Sequence, residues 1–210
     1  LADREQDRLH PTKKHRPLAS GAVPARQALA LAAVLLAAGA ALALALGPLP
    51  PAIILAYFAL NVAYSLALKN RMFIDVMVIA AGFLLRVAAG AAAIAVPLSQ
   101  WMLLTTFFIS LFLGFGKRRM EMSFTRGPSP QRPVLRQYSV ELLNALMMVS
   151  ASLAIISYAL WIVSSPGTSV IGSAWFILTV PPVVFGVFRF MHLAYANRRG
   201  SDAAEVLLAD

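Results

Sequence analysis

The acidic and basic residues of this chain are gathered in a few short segments, and chemistry is expected there. The first segment is Asp3-Arg-Glu-Gln-Asp7-Arg-Leu-His10-Pro-Thr-Lys13-Lys14-His15-Arg16-Pro17. Asp3 and Asp7 are four residues apart, so on a helix their carboxylates share a face. Two hard oxygen ligands suit Mg²⁺, which commonly takes one or two carboxylates together with substrate phosphates. Lys13 and Arg16 follow within reach of the same phosphates; an arginine forks onto two oxygens, whereas a lysine acts as a point charge. The same stretch also reads as a solvated, charged N-terminal segment. His10 and His15 are assigned no ligand role.

Three further groups stand out. Tyr64 and Lys69 flank the end of an apolar run, where they could equally serve as interfacial anchors. Asp75 and Arg86 lie eleven residues apart in the next run. On a helix that is about three turns, which puts them on nearly one face but about 16 Å apart along the axis, too far to pair directly. An arginine at such depth is expensive and marks a functional interior. Lys117-Arg118-Arg119-Met-Glu121 ends a fourth run, and Arg132, Arg136 and Tyr138 extend the basic stretch. Such a cluster can hold a phosphate at a membrane surface, with Glu121 orienting a base. It also satisfies plain positive-inside topology.

The elements that must position these groups are apolar spans. The chain has 210 residues, 60% of them hydrophobic and 13% charged, with a mean hydropathy of +0.74. Soluble domains run nearer 45–50% apolar and about 25% charged, so a bilayer must be the solvent for much of this chain. With no cysteine, disulfide scaffolds and thiolate metal sites are excluded. Six spans are expected: Arg26–Gly47, Pro51–Leu68, Phe73–Val96, Trp101–Gly116, Ser139–Val163 and Ser169–Met191. A helix needs about 20 apolar residues to cross a core of about 30 Å, which leaves the second and fourth near the short limit. The runs are continuous rather than alternating, so strand barrels are disfavoured, and helix is the backbone that satisfies its own hydrogen bonds in lipid. The fold class is therefore all-α, a polytopic transmembrane helical bundle.

Eighteen Lys and Arg against nine Asp and Glu give a net charge of +9. That excess lies at one set of span ends: residues 1–25, Lys69–Met72, Lys117–Tyr138 and His192–Asp210. The connectors around Pro48, Pro97 and Pro166 carry no charge. The alternation is what six consecutive crossings produce, and it places the charged segments and both termini in the cytoplasm. It also explains the basic pI near 10.7 without nucleic acid, which is not expected as a partner. No signal peptide is visible; the first Ala/Leu-rich span is too long for one and follows a polar lead. All the acids lie on the charged side as well, whereas topology needs only Lys and Arg. Interleaved acids and bases suit a metal and an anion.

Taken together, these segments resemble the UbiA-type polyprenyltransferase superfamily. Within it they are most similar to the polyprenyl-phosphate (decaprenyl-phosphate) phosphoribosyltransferase branch. Asp3-Arg-Glu-Gln-Asp7 matches the last two acids of the family's NDxxDxxxD motif, and the run through Lys13 and Arg16-Pro17 matches the basic stretch after it. Tyr64-Ser-Leu-Ala-Leu-Lys69 resembles its Tyr…Lys element, one residue longer than YxxxK. Arg86-Val-Ala-Ala-Gly90, Gly116-Lys117-Arg118-Arg119-Met-Glu121 and Arg132-Pro-Val-Leu135-Arg-Gln-Tyr138 resemble the branch's arginine span, KRxxE element and following loop. The resemblance covers essentially the whole chain as a single, partial UbiA-like transmembrane domain with cytoplasmic loops at 1–25 and 117–138. Because the family has nine spans, the chain is expected to lack spans at both ends.

The resemblance implies an integral enzyme of the bacterial inner membrane, with a role in cell-wall biogenesis. It would move 5-phosphoribosyl from phosphoribosyl pyrophosphate to a polyprenyl phosphate, with Mg²⁺ on Asp3 and Asp7. It implies a catalytic role for Asp3, Asp7 and Lys13. Substrate contacts are implied for Lys13, Arg16, Tyr64, Lys69, Asp75, Arg86, Lys117, Arg118, Arg119, Glu121, Arg132 and Tyr138. Members that alkylate aromatic acceptors carry a second Asp-rich motif where this chain has Lys117–Glu121. A sugar diphosphate bearing a further phosphate, plus a lipid phosphate, brings more anion than one metal site neutralises, so bases in place of acids are physically sensible. Two other readings stand beside this one: a prenyl-diphosphate enzyme with an aromatic or glycerol-phosphate acceptor, and a non-catalytic transporter or membrane subunit. Self-association is left open by the sequence.

Overall fold

A computed structural model describes residue 8 and residues 13–124, 133–164 and 173–196. Among the described residues every regular element is helical. Six long helices follow one another: α1 (Ala25–Ala45), α2 (Leu49–Leu66), α3 (Ile74–Ala93), α4 (Gln100–Phe124), α5 (Val140–Ser164) and α6 (Val180–Ala196). Short helices lie at Pro17–Ser20 and Ser173–Ile177, and 3₁₀ turns at Lys13–His15, Leu68–Asn70 and Pro133–Gln137. Gly47, with φ +113°, turns the chain between α1 and α2, a conformation glycine adopts without steric penalty. Prolines in the first turn of α2 have no amide to leave unsatisfied there.

Among the described residues five segments are long and apolar enough to cross a membrane: Ala25–Ala45, Leu49–Leu66, Ile74–Ala93, Val140–Ser164 and Trp175–Ala196. The remaining expected span, Trp101–Gly116, lies in α4 and is not among them. Its apolar run is short, and the helix continues past it through Lys117, Arg118, Arg119 and Glu121 to Phe124. Residues 117–124 are therefore helix rather than the start of a loop. Lys, Arg, Met and Glu are all good helix formers, and Arg118 pairs with Glu121 one turn on. The protein is an integral membrane protein. Its outer surface is accordingly apolar: Leu29, Leu35, Leu42, Leu55, Leu66, Val149 and Phe185 are all exposed. Hydroxyls within the spans are satisfied by their own helices, as where Ser110 donates to the Thr106 carbonyl and Ser157 to that of Leu153.

The core is centred on α4. This helix packs on α3 to one side and α5 to the other, and α6 closes over α4 and α5. Val76, Phe112, Phe115, Leu143, Met147, Val187 and Phe190 form one buried cluster that also takes in Val134 and Tyr138. Two glycines allow the close approach. A Cβ at Gly114 would lie 2.5 Å from Val76 Cγ1, and one at Gly116 would lie 2.5 Å from the Phe190 ring. Small residues at such crossings are how helices pack without a hydrophobic drive between them in lipid.

Candidate active site

The chain enters α3 through a strained turn. Phe73 has φ 63° and ψ −43°, and the Ile74 amide donates to the Met72 carbonyl at 2.7 Å. A bulky residue held at positive φ costs about 1–3 kcal/mol and persists only where the surroundings over-determine it. Here they do. The Phe73 amide donates to the Tyr138 hydroxyl oxygen at 2.7 Å, and the two rings meet edge to face at 5.8 Å.

That turn delivers Asp75 to the first turn of α3, where a carboxylate suits the helix dipole. The Asp75 carboxylate accepts from Arg118 Nε at 2.8 Å and from the Tyr138 hydroxyl at 3.0 Å. Arg118 Nη1 also donates to Glu121 Oε2 at 3.2 Å. Asp75, Arg118 and Tyr138 are 0%, 2% and 4% exposed. Burial pushes the Tyr138 phenol up from 10.0 to about 12, with Asp75 adding to the rise and the Phe73 amide and Arg118 opposing it. The result is a closed knot that ties α3, α4 and the Pro133–Gln137 turn together.

The structure places the expected site residues as follows. Asp75, Arg118 and Tyr138, for which substrate contacts are implied, are buried in this structure and bonded to one another. Lys117, Arg118 and Arg119 do not share one face of α4. Because α4 runs on through them, each points about 100° from the last. Lys117 is exposed and Arg118 is in the knot. Arg119 donates to Asn144 Oδ1 at 3.0 Å and lies over the Tyr195 ring at 5.8 Å, bracing α4 against α5 and α6. Glu121 remains partly exposed. Lys69 sits half-buried in the Leu68–Asn70 turn, which packs on α2, α3 and the Pro133–Gln137 turn. Arg16 is exposed just before the Pro17–Ser20 helix. Asp3, Asp7, Arg132 and the side chain of Lys13 lie outside the described residues.

Asp75 and Arg86 part company despite sharing nearly one face of α3. Asp75 turns to α4, whereas Arg86 lines a cleft of about 270 Å³ between α2 and α3, together with Tyr57, Asn61, Tyr64, Gly82 and Phe83. The Arg86 guanidinium lies 5.0 Å from the centroids of both the Tyr57 and Phe83 rings and donates to the Tyr57 hydroxyl. Tyr64 lines the same cleft, nearly two turns along α2 from Tyr57. Tyr57 and Asn61 were missed in the sequence reading. Their signal was present, since Tyr57, Asn61 and Tyr64 fall at i, i+4 and i+7, a polar stripe on an otherwise apolar helix. Phe73 and Asn144 carried no comparable signal.

A sequence profile of the UbiA prenyltransferase family matches residues 1–209. The chain belongs to that family. Its relatives include the decaprenyl-phosphate phosphoribosyltransferase of Mycolicibacterium smegmatis, 33% identical over 195 residues, covering 90% of this chain and 61% of the relative. The enzyme of the same name from Corynebacterium glutamicum is 33% identical over 211 residues, covering 99% and 63%. That from Mycobacterium tuberculosis strain H37Rv is 34% identical over 191 residues, covering 90% and 62%. The chain thus spans about three fifths of the length of these curated relatives. Among the described residues no group of three or more histidines, cysteines or carboxylates could hold a metal ion, and Asp75 is committed to Arg118 and Tyr138.

Proposed function

We propose that this protein transfers a 5-phosphoribosyl group from phosphoribosyl pyrophosphate to a polyprenyl phosphate, on the cytoplasmic side of a bacterial membrane. The observation that carries the reading is the basic end of α4. Lys117 stands exposed there beside Arg119 and beside Arg118, which pairs with Asp75 and Glu121, in a family whose relatives at about one third identity are named for this reaction. Positive charge at that end suits a reaction whose substrates bring a diphosphate, a sugar phosphate and a lipid phosphate.

In the reaction, the bond between ribose C1 and the pyrophosphate oxygen breaks, and its electrons leave with pyrophosphate. A phosphate oxygen of the lipid forms the new bond to C1. The acceptor is already anionic, so no strong general base is needed, and the protein's part is positioning and charge stabilisation. Lys13 and Arg16 neutralise the departing diphosphate. Lys69 and Lys117 hold the lipid phosphate, with Glu121 orienting a base. The Asp75–Arg118–Tyr138 knot sets the relative position of α3, α4 and the Pro133–Gln137 turn and so places Lys69 and Lys117. Asp3 and Asp7 would supply the hard oxygen ligands for Mg²⁺, which when bound would neutralise charge on the diphosphate.

The test is transfer of labelled ribose phosphate into the lipid phase by the intact protein, with and without Mg²⁺. Metal-dependent label in lipid, lost in Asp3→Ala, is the expected result. No transfer from phosphoribosyl pyrophosphate, with turnover of a prenyl diphosphate instead, would overturn the proposal.

A further inference from the structure

We propose that Phe73 is a positioning residue: the main-chain turn it makes, held by the Tyr138 hydroxyl, sets where Lys69 stands. The part given to Lys69 rests on the transfer reaction above; the coupling of the turn to Tyr138 rests on the geometry alone.

Residues 70–74 join Lys69 to Asp75, and the chain turns sharply within them. The Leu68–Asn70 turn is closed by the Arg71 amide, which donates to the Leu68 carbonyl at 3.1 Å. Arg71 is extended, with φ −101° and ψ 125°. At Phe73 the backbone takes φ 63° and ψ −43°, and the Ile74 amide donates across it to the Met72 carbonyl at 2.7 Å. That pairing over three residues, with a positive central φ, is a γ-turn of the rare and strained hand. The Asp75 amide closes around it onto the Arg71 carbonyl at 3.0 Å. The path from the Lys69 turn into α3 therefore depends on one pair of dihedral angles. A bulky L-residue leaves such a conformation unless its surroundings hold it there.

Burial of the ring is not what holds it, because Phe73 is 39% exposed. The hold is the Tyr138 hydroxyl, which accepts from the Phe73 amide at 2.7 Å and donates to Asp75 at 3.0 Å. One oxygen thus fastens the turn to the carboxylate that pairs with Arg118, and the edge-to-face ring contact adds to it. Tyr138 has no room to yield. It is 4% exposed and belongs, with Val134, to the buried cluster against which Met72 also packs. The Pro133–Gln137 turn is therefore the fixed side, and the Leu68–Asn70 turn that packs on it is the side that follows. Were Phe73 to relax to negative φ, everything before it would rotate relative to α3, and Lys69 would move with it.

The chain has no cysteine, so nitroxide labels at Asn70→Cys and Gln137→Cys, both exposed positions, report on these two turns. In nanodiscs the intact protein should give one narrow distance distribution by electron paramagnetic resonance. Tyr138→Phe removes the oxygen and keeps the ring. It should broaden the distribution and raise KM for polyprenyl phosphate about fivefold, the effect of losing one hydrogen bond, with KM for phosphoribosyl pyrophosphate unchanged. Adding Phe73→Gly should narrow the distribution again and restore KM, because glycine takes a positive φ without strain. A tyrosine that served stability alone would gain nothing from a glycine that also gives up the ring contact. If Tyr138→Phe does not fold, Phe73→Val serves in its place: a β-branched residue is least able to hold positive φ, so the distribution should broaden with Tyr138 intact. A distribution as narrow as wild type in Tyr138→Phe or Phe73→Val, a double variant as broad as Tyr138→Phe alone, or an unmoved KM alongside the broadening would overturn the proposal. Broadening and rescue as described, with no ribose-phosphate transfer by the wild-type protein, would support the hold on the Lys69 turn and refute the transfer reading alone.

Discussion

Asp75→Asn removes the negative charge that faces Arg118 at 2.8 Å while keeping the side chain's size. Both partners are buried, at 0% and 2% exposure, so the guanidinium cannot turn to water. Breaking a buried pair from one side costs about 3–5 kcal/mol, because the other charge is left uncompensated. Glu121 still accepts from Arg118 Nη1 at 3.2 Å, and the asparagine carbonyl can still accept from Tyr138, which puts the expected loss near the lower figure, about 3 kcal/mol. Asp75→Ala forfeits that second bond as well and should lose about 1 kcal/mol more. For a chain of this size each kcal/mol moves the melting midpoint by about 2–4 °C, so Asp75→Asn should melt about 6–12 °C lower. The assay is thermal unfolding in detergent followed by tryptophan fluorescence. Asp75→Asn combined with Arg118→Met should recover part of the loss, since the stranded charge goes with its partner. A midpoint for Asp75→Asn within about 2 °C of wild type, or a double variant equal to the sum of the singles, would refute the claim that the pair ties α3 to α4.

The Tyr138 phenol is pushed up from 10.0 to about 12. The neutral form is thus favoured in the fold, and its stabilisation is full below about pH 10 and is lost as pH rises through about 12. The wild-type melting midpoint should fall across that window, and Tyr138→Phe should lack this component while starting from a lower midpoint at neutral pH. Gly114→Ala would put a methyl 2.5 Å from Val76 Cγ1, a side chain that is 0% exposed. Overpacking of this kind costs about 1–3 kcal/mol, and Val76→Ala in the same chain should restore most of it, as read by the same melting assay. Lys117→Ala should raise KM for the lipid phosphate with little change in midpoint, because the side chain is exposed; unchanged KM for both substrates would mean that Lys117 serves topology alone.

Much of the architecture was legible because it is local. Continuous apolar runs bounded by Pro, Gly and charge mark helices wherever lipid is the solvent, and α1, α2, α3 and α5 lie within a few residues of the expected spans. The gathering of Lys69, Asp75, Arg118 and Tyr138 at one end also follows from counting crossings. The end of α4 was misread because charge was taken as a stop signal, although those charged residues are themselves good helix formers. Tyr57 could have been found from the polar stripe it shares with Asn61 and Tyr64.

Pairing was not legible. Asp75 meets Arg118 across 43 positions of sequence, not Arg86 on its own helix. Arg119 finds Asn144 across 25. Which base meets which acid depends on how each helix is rotated about its axis and how closely its neighbours approach. Those quantities are decided where Gly114 admits Val76 and Gly116 admits Phe190. Residue types and spacing determined by themselves that this chain is a bundle of membrane helices with its charge at one end. Only the packed structure decided that Asp75, Arg118 and Tyr138 close on one another while Arg86 is left facing an open cleft, because a helix's rotation is set by the surfaces it meets and not by its own sequence period.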